Sequence, residues 1–121
     1  MTHSPDYQMT YIEATIQTMD LYGMTITPAE ILTGLWALDA RGIEGSDAET
    51  SLRSFLYRLT PFHTGFWTDS TVTGIRFPGW AALNAEFAGK SNDDLARQFG
   101  MDAIRVAVVV REASTGYSLA I

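Results

Sequence analysis

The chain has 121 residues, 46 % of them apolar and 18 % charged, which is the profile of one small globular domain or two very small ones and excludes a disordered chain. Eight Lys and Arg against fourteen Asp and Glu leave a formal charge of −6, so no chain-wide basic footprint marks a nucleic-acid binder. The absence of Cys excludes disulfides, thiolate catalysis and thiolate metal sites.

No apolar run reaches the ~18 residues of a membrane-spanning helix. The opening MTHSPDYQ has neither the basic start nor the apolar stretch of a secretory signal, so a soluble, cytoplasmic chain is expected. Charge is unevenly placed along it. Residues 1–40 carry Asp6, Glu13, Asp20, Glu30 and Asp39 and no Lys or Arg, whereas residues 41–121 carry all eight basic residues against nine acidic ones. A nucleic-acid surface would therefore lie in the second two-thirds, and an acidic opening helix is equally the solvated face of an ordinary helix.

Periodicity predicts a first helix from Tyr7 to Tyr22, with Met9, Ile12, Ile16 and Met19 on one stripe and Gly23 as its stop. A second helix begins at Thr27-Pro28-Ala29-Glu30, a capping box with proline at the first helical position. Ile31, Leu32, Leu35, Trp36 and Leu38 supply its inward side, and Gly42 ends it. A third starts at a similar box, Ser46-Asp47-Ala48-Glu49, turns Leu52, Phe55, Leu56 and Leu59 inward, and is broken by Pro61.

Beyond Pro61 the composition becomes aromatic and β-branched. Gly65 to Thr68 and Val72 to Phe77, with Asp69-Ser70 between them, read as a β-hairpin. Trp80 to Phe87 reads as a short helix, and Ser91 to Asp94 caps another that ends at Phe99-Gly100. Ile104 to Val110 fits either a further helix or a strand paired with Tyr117 to Ile121 across Ser114-Thr115-Gly116. The fold class expected is mainly α with a small β-hairpin.

At 100° per residue the outward arc of the third helix carries Thr50, Arg53, Ser54 and Tyr57, with Arg58 at its edge. Such side chains bond phosphates or base edges, and equally make the polar side of an amphipathic helix. The order helix, helix, helix, hairpin over residues 7–77 resembles a winged helix-turn-helix domain. The resemblance implies that the third helix enters the DNA major groove and that the hairpin is a wing touching the flanking backbone. It nominates Thr50, Arg53, Ser54, Tyr57 and Arg58, with Arg76 of the wing, as nucleic-acid contacts. The linker Asp39 to Ser46 departs from that pattern, being longer than the tight turn of the prokaryotic motif.

The segment NDDLARQFGMDAIRVAVVVR, residues 92–111, fits the twenty-residue bacterial and phage helix-turn-helix pattern. Ala96 takes the small site, Gly100 the turn, and Leu95, Phe99, Met101, Val106 and Val109 the apolar sites. It resembles the C-terminal helix-turn-helix of phage middle-gene activators of the Mor type. Where such a helix reads bases, this one has Asp102, Ala103, Ile104, Ala107, Val108 and Arg111, mostly without hydrogen-bonding groups. The motif is therefore expected to keep its shape but to pack, through Ile104, Ala107, Val108 and Arg111, against the first unit or a second protomer. The division implied is a winged-helix-like unit over 7–78 and a helix-turn-helix-like segment over 79–121 packed on it.

Catalysis is not expected. His3 and His63 are the only histidines and lack metal-ligand neighbours, and no GxSxG, phosphate-binding glycine loop or HExxH occurs. No metal or cofactor is implied. Asp93-Asp94 stand at a helix start, where capping accounts for them. Phe62, Phe66, Trp67, Phe77 and Trp80 suit either base stacking or the glue between wing and helices. Two functions follow as expectations. One is a small DNA-binding transcriptional regulator of phage or mobile-element type, acting on double-stranded DNA as a homodimer. The other is a winged-helix protein-interaction module, such as a phage-encoded inhibitor of a host defence complex, whose acidic surface engages a basic partner. A continuous basic strip through Arg53, Arg58 and Arg76 would favour DNA, and scattered arginines the protein partner.

Overall fold

The first helix, α1 (Pro5–Leu21), turns Tyr11, Ile12, Thr15 and Met19 inward. Met9 stays exposed, one turn short of the layer that covers its neighbours. In the computed structural model, which describes residues 5–61 and 74–113, the chain is mainly helical. Gly23, at φ 95°, reverses the chain into a two-residue strand, β1 (Met24–Thr25), that periodicity had not signalled.

Helix α2 (Pro28–Asp39) begins at the expected capping box. The Glu30 N–H donates to Thr27 Oγ1 at 3.2 Å, and the Thr27 N–H donates back to Glu30 Oε1 at 3.0 Å. Its buried stripe is Ile31, Gly34 and Leu38. Trp36 is therefore not inward: it lies about 200° round the helix from Gly34 and is 66 % exposed. The Trp80 ring packs over Gly34 on the buried face, where a Cβ on Gly34 would stand 2.7 Å from Trp80 Cζ2.

Helix α3 (Gly45–Tyr57) starts earlier than its expected box. Glu44 is the N-cap and no side chain caps it, which puts Ser46 inside the first turn. Glu49 is buried, and its backbone carbonyl accepts the Tyr11 phenol at 3.0 Å. Leu52, Phe55 and Leu56 are buried as predicted, with Leu59 partly so.

The next described strand, β2 (Ile75–Arg76), pairs in parallel with β1, Met24 against Ile75 and Thr25 against Arg76. The first strand and turn of the expected hairpin, with Phe62, His63, Phe66 and Trp67, lie outside the described residues. Helix α4 (Trp80–Phe87) follows, and then α5 (Asn92–Glu112), two helical arms joined at Gly100, where φ is 75° and ψ 175°. Residues 104–110 are helix, not strand. The proposed strand partner, Tyr117 to Ile121, lies outside the described residues.

An aromatic cluster joins α3, α4 and α5. Phe55 stacks on Phe99 with centroids 4.8 Å apart and meets Phe87 edge-on at 6.2 Å, while Phe87 meets Phe99 at 5.4 Å. Phe77 and Trp80 are buried at 4.9 Å from each other, and the Trp80 indole N–H donates to the Glu30 carbonyl at 2.8 Å. These two rings are glue between elements, each such pair adding about 0.5–1.5 kcal/mol beyond the area it buries. No helix among the described residues is long and apolar enough to cross a membrane.

Candidate nucleic-acid interface

Four of the six predicted contacts come together. Thr50, Arg53, Ser54 and Tyr57 of α3 form one wall of a groove of about 350 Å³, and Thr18 and Met19 of α1 with Tyr22 just beyond its end form the other. The Arg53 guanidinium lies 5.3 Å from the centroid of the Tyr11 ring, and the Tyr22 and Tyr57 rings meet edge-on at 5.1 Å. The DNA major groove is ~12 Å wide and admits one bare helix of nearly that diameter. With α1 alongside, the outer face of α3 is one side of a trough and not a projecting ridge.

The other two contacts are elsewhere. Arg58, half-buried, packs over the bend of α5, where a Cβ on Gly100 would stand 2.9 Å from its Nη2. Arg76 reaches Glu30 at the start of α2, Nη2 to Oε2 at 3.3 Å. The three arginines are therefore engaged with three different elements.

On α5 both arms bury apolar residues of the expected pattern. Leu95 and Phe99 of the first arm and Val106 and Val109 of the second are buried. Ser91 and Asp94 cap the first arm reciprocally, Asp94 N–H to Ser91 Oγ at 3.1 Å and Ser91 N–H to Asp94 Oδ2 at 3.2 Å. Asn84 of α4 holds the far end, its Nδ2 donating to the Val110 carbonyl at 2.7 Å and so satisfying one of the acceptors a helix terminus leaves open. Arg111, predicted at an interface, donates to the Lys90 carbonyl at 3.0 Å.

The second arm is rotated from the template. Met101, assigned an apolar site, is 80 % exposed, because the Gly100 reversal swings it out at the head of the arm. Ala103 and Ala107, assigned outward, have no exposed surface, and Ile104 and Val108 are half-buried against the core. The apolar surplus is thus covered within the chain. What the arm exposes is Met101, Asp102 and Arg105, with Arg97 and Gln98 exposed on the first arm just before the bend.

Arg105 is the residue that sequence reasoning missed. Its signal was present: Arg105 and Glu112, seven apart, mark the polar side of an otherwise apolar arm. The four ion pairs among the described residues engage Arg41, Arg76, Arg97 and Arg111. Neither Arg58 nor Arg105 is in one.

Two carboxyls on α5 are held below their ordinary range. For Asp94 the Ser91 backbone N–H is the main cause, followed by the Ser91 hydroxyl and then Arg97. For Glu112 the cause is the Arg41 hydrogen bond, with a smaller contribution from Arg111. Arg97 is thereby matched by a carboxylate, which leaves Arg58 and Arg105 as the uncompensated cations flanking the bend. Comparison with protein families, with characterised proteins and with solved structures finds no match to this chain.

Proposed function

We propose that the chain is a small DNA-binding transcriptional regulator that reads duplex DNA with the helix-turn-helix of α5, not with α3. The observation that carries this reading is the Gly100 break between two arms with buried Leu95, Phe99, Val106 and Val109, beside an exposed and unpaired Arg105. Residues near the start of the second arm of such a motif reach base edges, and Arg105 stands one turn into that arm. Arginine can fork onto guanine, and Arg58, packed on the bend, is a phosphate contact on the same side of α3 and α5. In this reading the Mor-type resemblance of residues 92–111 locates the reader, and the winged-helix-like order of residues 7–77 supplies its platform.

Fluorescence anisotropy against mixed duplex DNA at two salt concentrations is the test. Affinity falls steeply with salt if phosphates are neutralised, and Arg105→Ala weakens the preferred site by about 1–3 kcal/mol. Salt-insensitive binding, or an unchanged affinity in a folded Arg105→Ala variant, removes α5 from the role.

Two observations favour a second reading, the first being that Arg53, Arg58 and Arg76 engage three different elements and form no continuous strip. Glu13, Gln17 and Asp20 are exposed at helical spacing on α1, within a stretch that has no basic residue, while half of the chain's cations are locked in ion pairs. That surface suits a basic protein partner, and absence of any salt-sensitive DNA binding would put this reading first.

A further inference from the structure

We infer that the groove between α1 and α3 binds a small aromatic carboxylate. The site is separate from the α5 surface and does not depend on the DNA reading. Its volume, about 350 Å³, is at the lower end of small-molecule sites, room for one ring and its acid group rather than for a peptide.

The lining divides by chemistry. Met19 forms an apolar floor, and the edge-on pair Tyr22 and Tyr57 forms an aromatic wall against which a ring can pack. Thr50 and Ser54 bring hydroxyls to the same wall of α3 as Arg53. Arg53 is the one charged side chain among the described residues that line the groove, and it is in none of the ion pairs among them. Its guanidinium is already held by the Tyr11 ring at 5.3 Å, and the Tyr11 hydroxyl is in turn fixed by the Glu49 carbonyl. A planar cation restrained in this way presents its fork to a carboxylate with little further ordering. The exposed carboxylates of α1, Glu13 and Asp20, are not among the residues that line the groove. Among the described lining residues the charge is positive, in a chain of net charge −6, and such a groove selects an anion with an apolar body.

The probe is phenylacetate, with phenylacetamide as its uncharged counterpart, titrated into the full chain and followed by amide and arginine side-chain NMR shifts. Phenylacetate is expected to give saturable shifts at Thr18, Tyr22, Ser54, Tyr57 and the Arg53 guanidinium. The amide is expected to bind about tenfold or more weaker, because it lacks the charge-assisted hydrogen bonds. Arg53→Gln should lose the preference for the acid, and Arg53→Lys, which keeps the charge without the fork, should fall between; thermal melts of both establish that they fold. Equal response to acid and amide in the wild-type chain overturns the inference, and that comparison needs no variant. So do shifts that fail to saturate at millimolar ligand, or that map outside the groove.

Discussion

On α3 the outward polar side chains line a groove beside α1, whereas on the second arm of α5 the outward Met101, Asp102 and Arg105 line none of the described grooves. Thr50, Arg53, Ser54 and Tyr57 share a groove with α1, and Arg53 leans on Tyr11. Arg105 has no such neighbour, and Met101 and Asp102 beside it are exposed. Polarity of a helical face therefore says that the face is not core. It does not say that the helix projects far enough to enter a DNA groove, which depends on what packs alongside.

The strongest way to break the comparison is to remove the ring both regions share. Phe55→Ala takes away a buried side chain that stacks on Phe99 and meets Phe87, and a loss of about 3–5 kcal/mol is expected. Chemical denaturation should register it, and both the α3 groove and the α5 bend should lose their structure together in NMR spectra.

Gly100→Ala separates the regions. The backbone at φ 75° and ψ 175° is open essentially to glycine alone, so alanine there is expected to cost about 1–3 kcal/mol. The new Cβ would also meet Arg58 Nη2 at 2.9 Å and push the guanidinium aside. DNA affinity should fall while the shifts of Thr18, Tyr22 and Ser54 stay in place; a variant that binds DNA as before would mean the bend is not part of the reader. Within the binding assay, Arg105→Ala and Arg53→Ala form the sharper pair. The first should weaken the preferred site by about 1–3 kcal/mol and the second should not. The reverse result would return recognition to α3.

Smaller effects are expected from two features peripheral to both surfaces. The hydroxyl of Thr15, buried on α1, has no hydrogen-bond partner, so Thr15→Val should leave stability unchanged or raise it by up to ~1 kcal/mol in a denaturation curve. The α5 carboxyls set an acid limit. Asp94 and Glu112 are held below their unfolded values, so their contribution is present above the unfolded range near pH 4 and is lost as pH falls through the depressed folded values. Acid titration followed by NMR should show the ends of α5 loosening before the α3 groove. Both groups are exposed, so the effect on the melting curve is slight.

What was legible beforehand is what is decided within a few residues. The box at Thr27 and Glu30 and the cap at Ser91 and Asp94 form because the bonding groups are three positions apart on one turn. Gly100 breaks α5 because glycine alone tolerates that backbone, and Leu52, Phe55 and Leu56 share a side because of helical pitch. The remainder depended on which surface met which. The Ser46 to Glu49 box did not form because the helix starts ahead of it, at Gly45, which puts Ser46 inside the first turn. Trp36 was left outside because the face of α2 that packs is the one through Ile31, Gly34 and Leu38, where Trp80, distant in sequence, seats over Gly34. The parallel pairing of β1 with β2 joins residues some fifty positions apart, beyond the reach of any local pattern. Local bonding geometry is written into neighbouring residues, but the depth of a side chain is set by the competition of distant ones for the same space, and it was that competition which set Arg53 beside α1 and Arg105 apart from it.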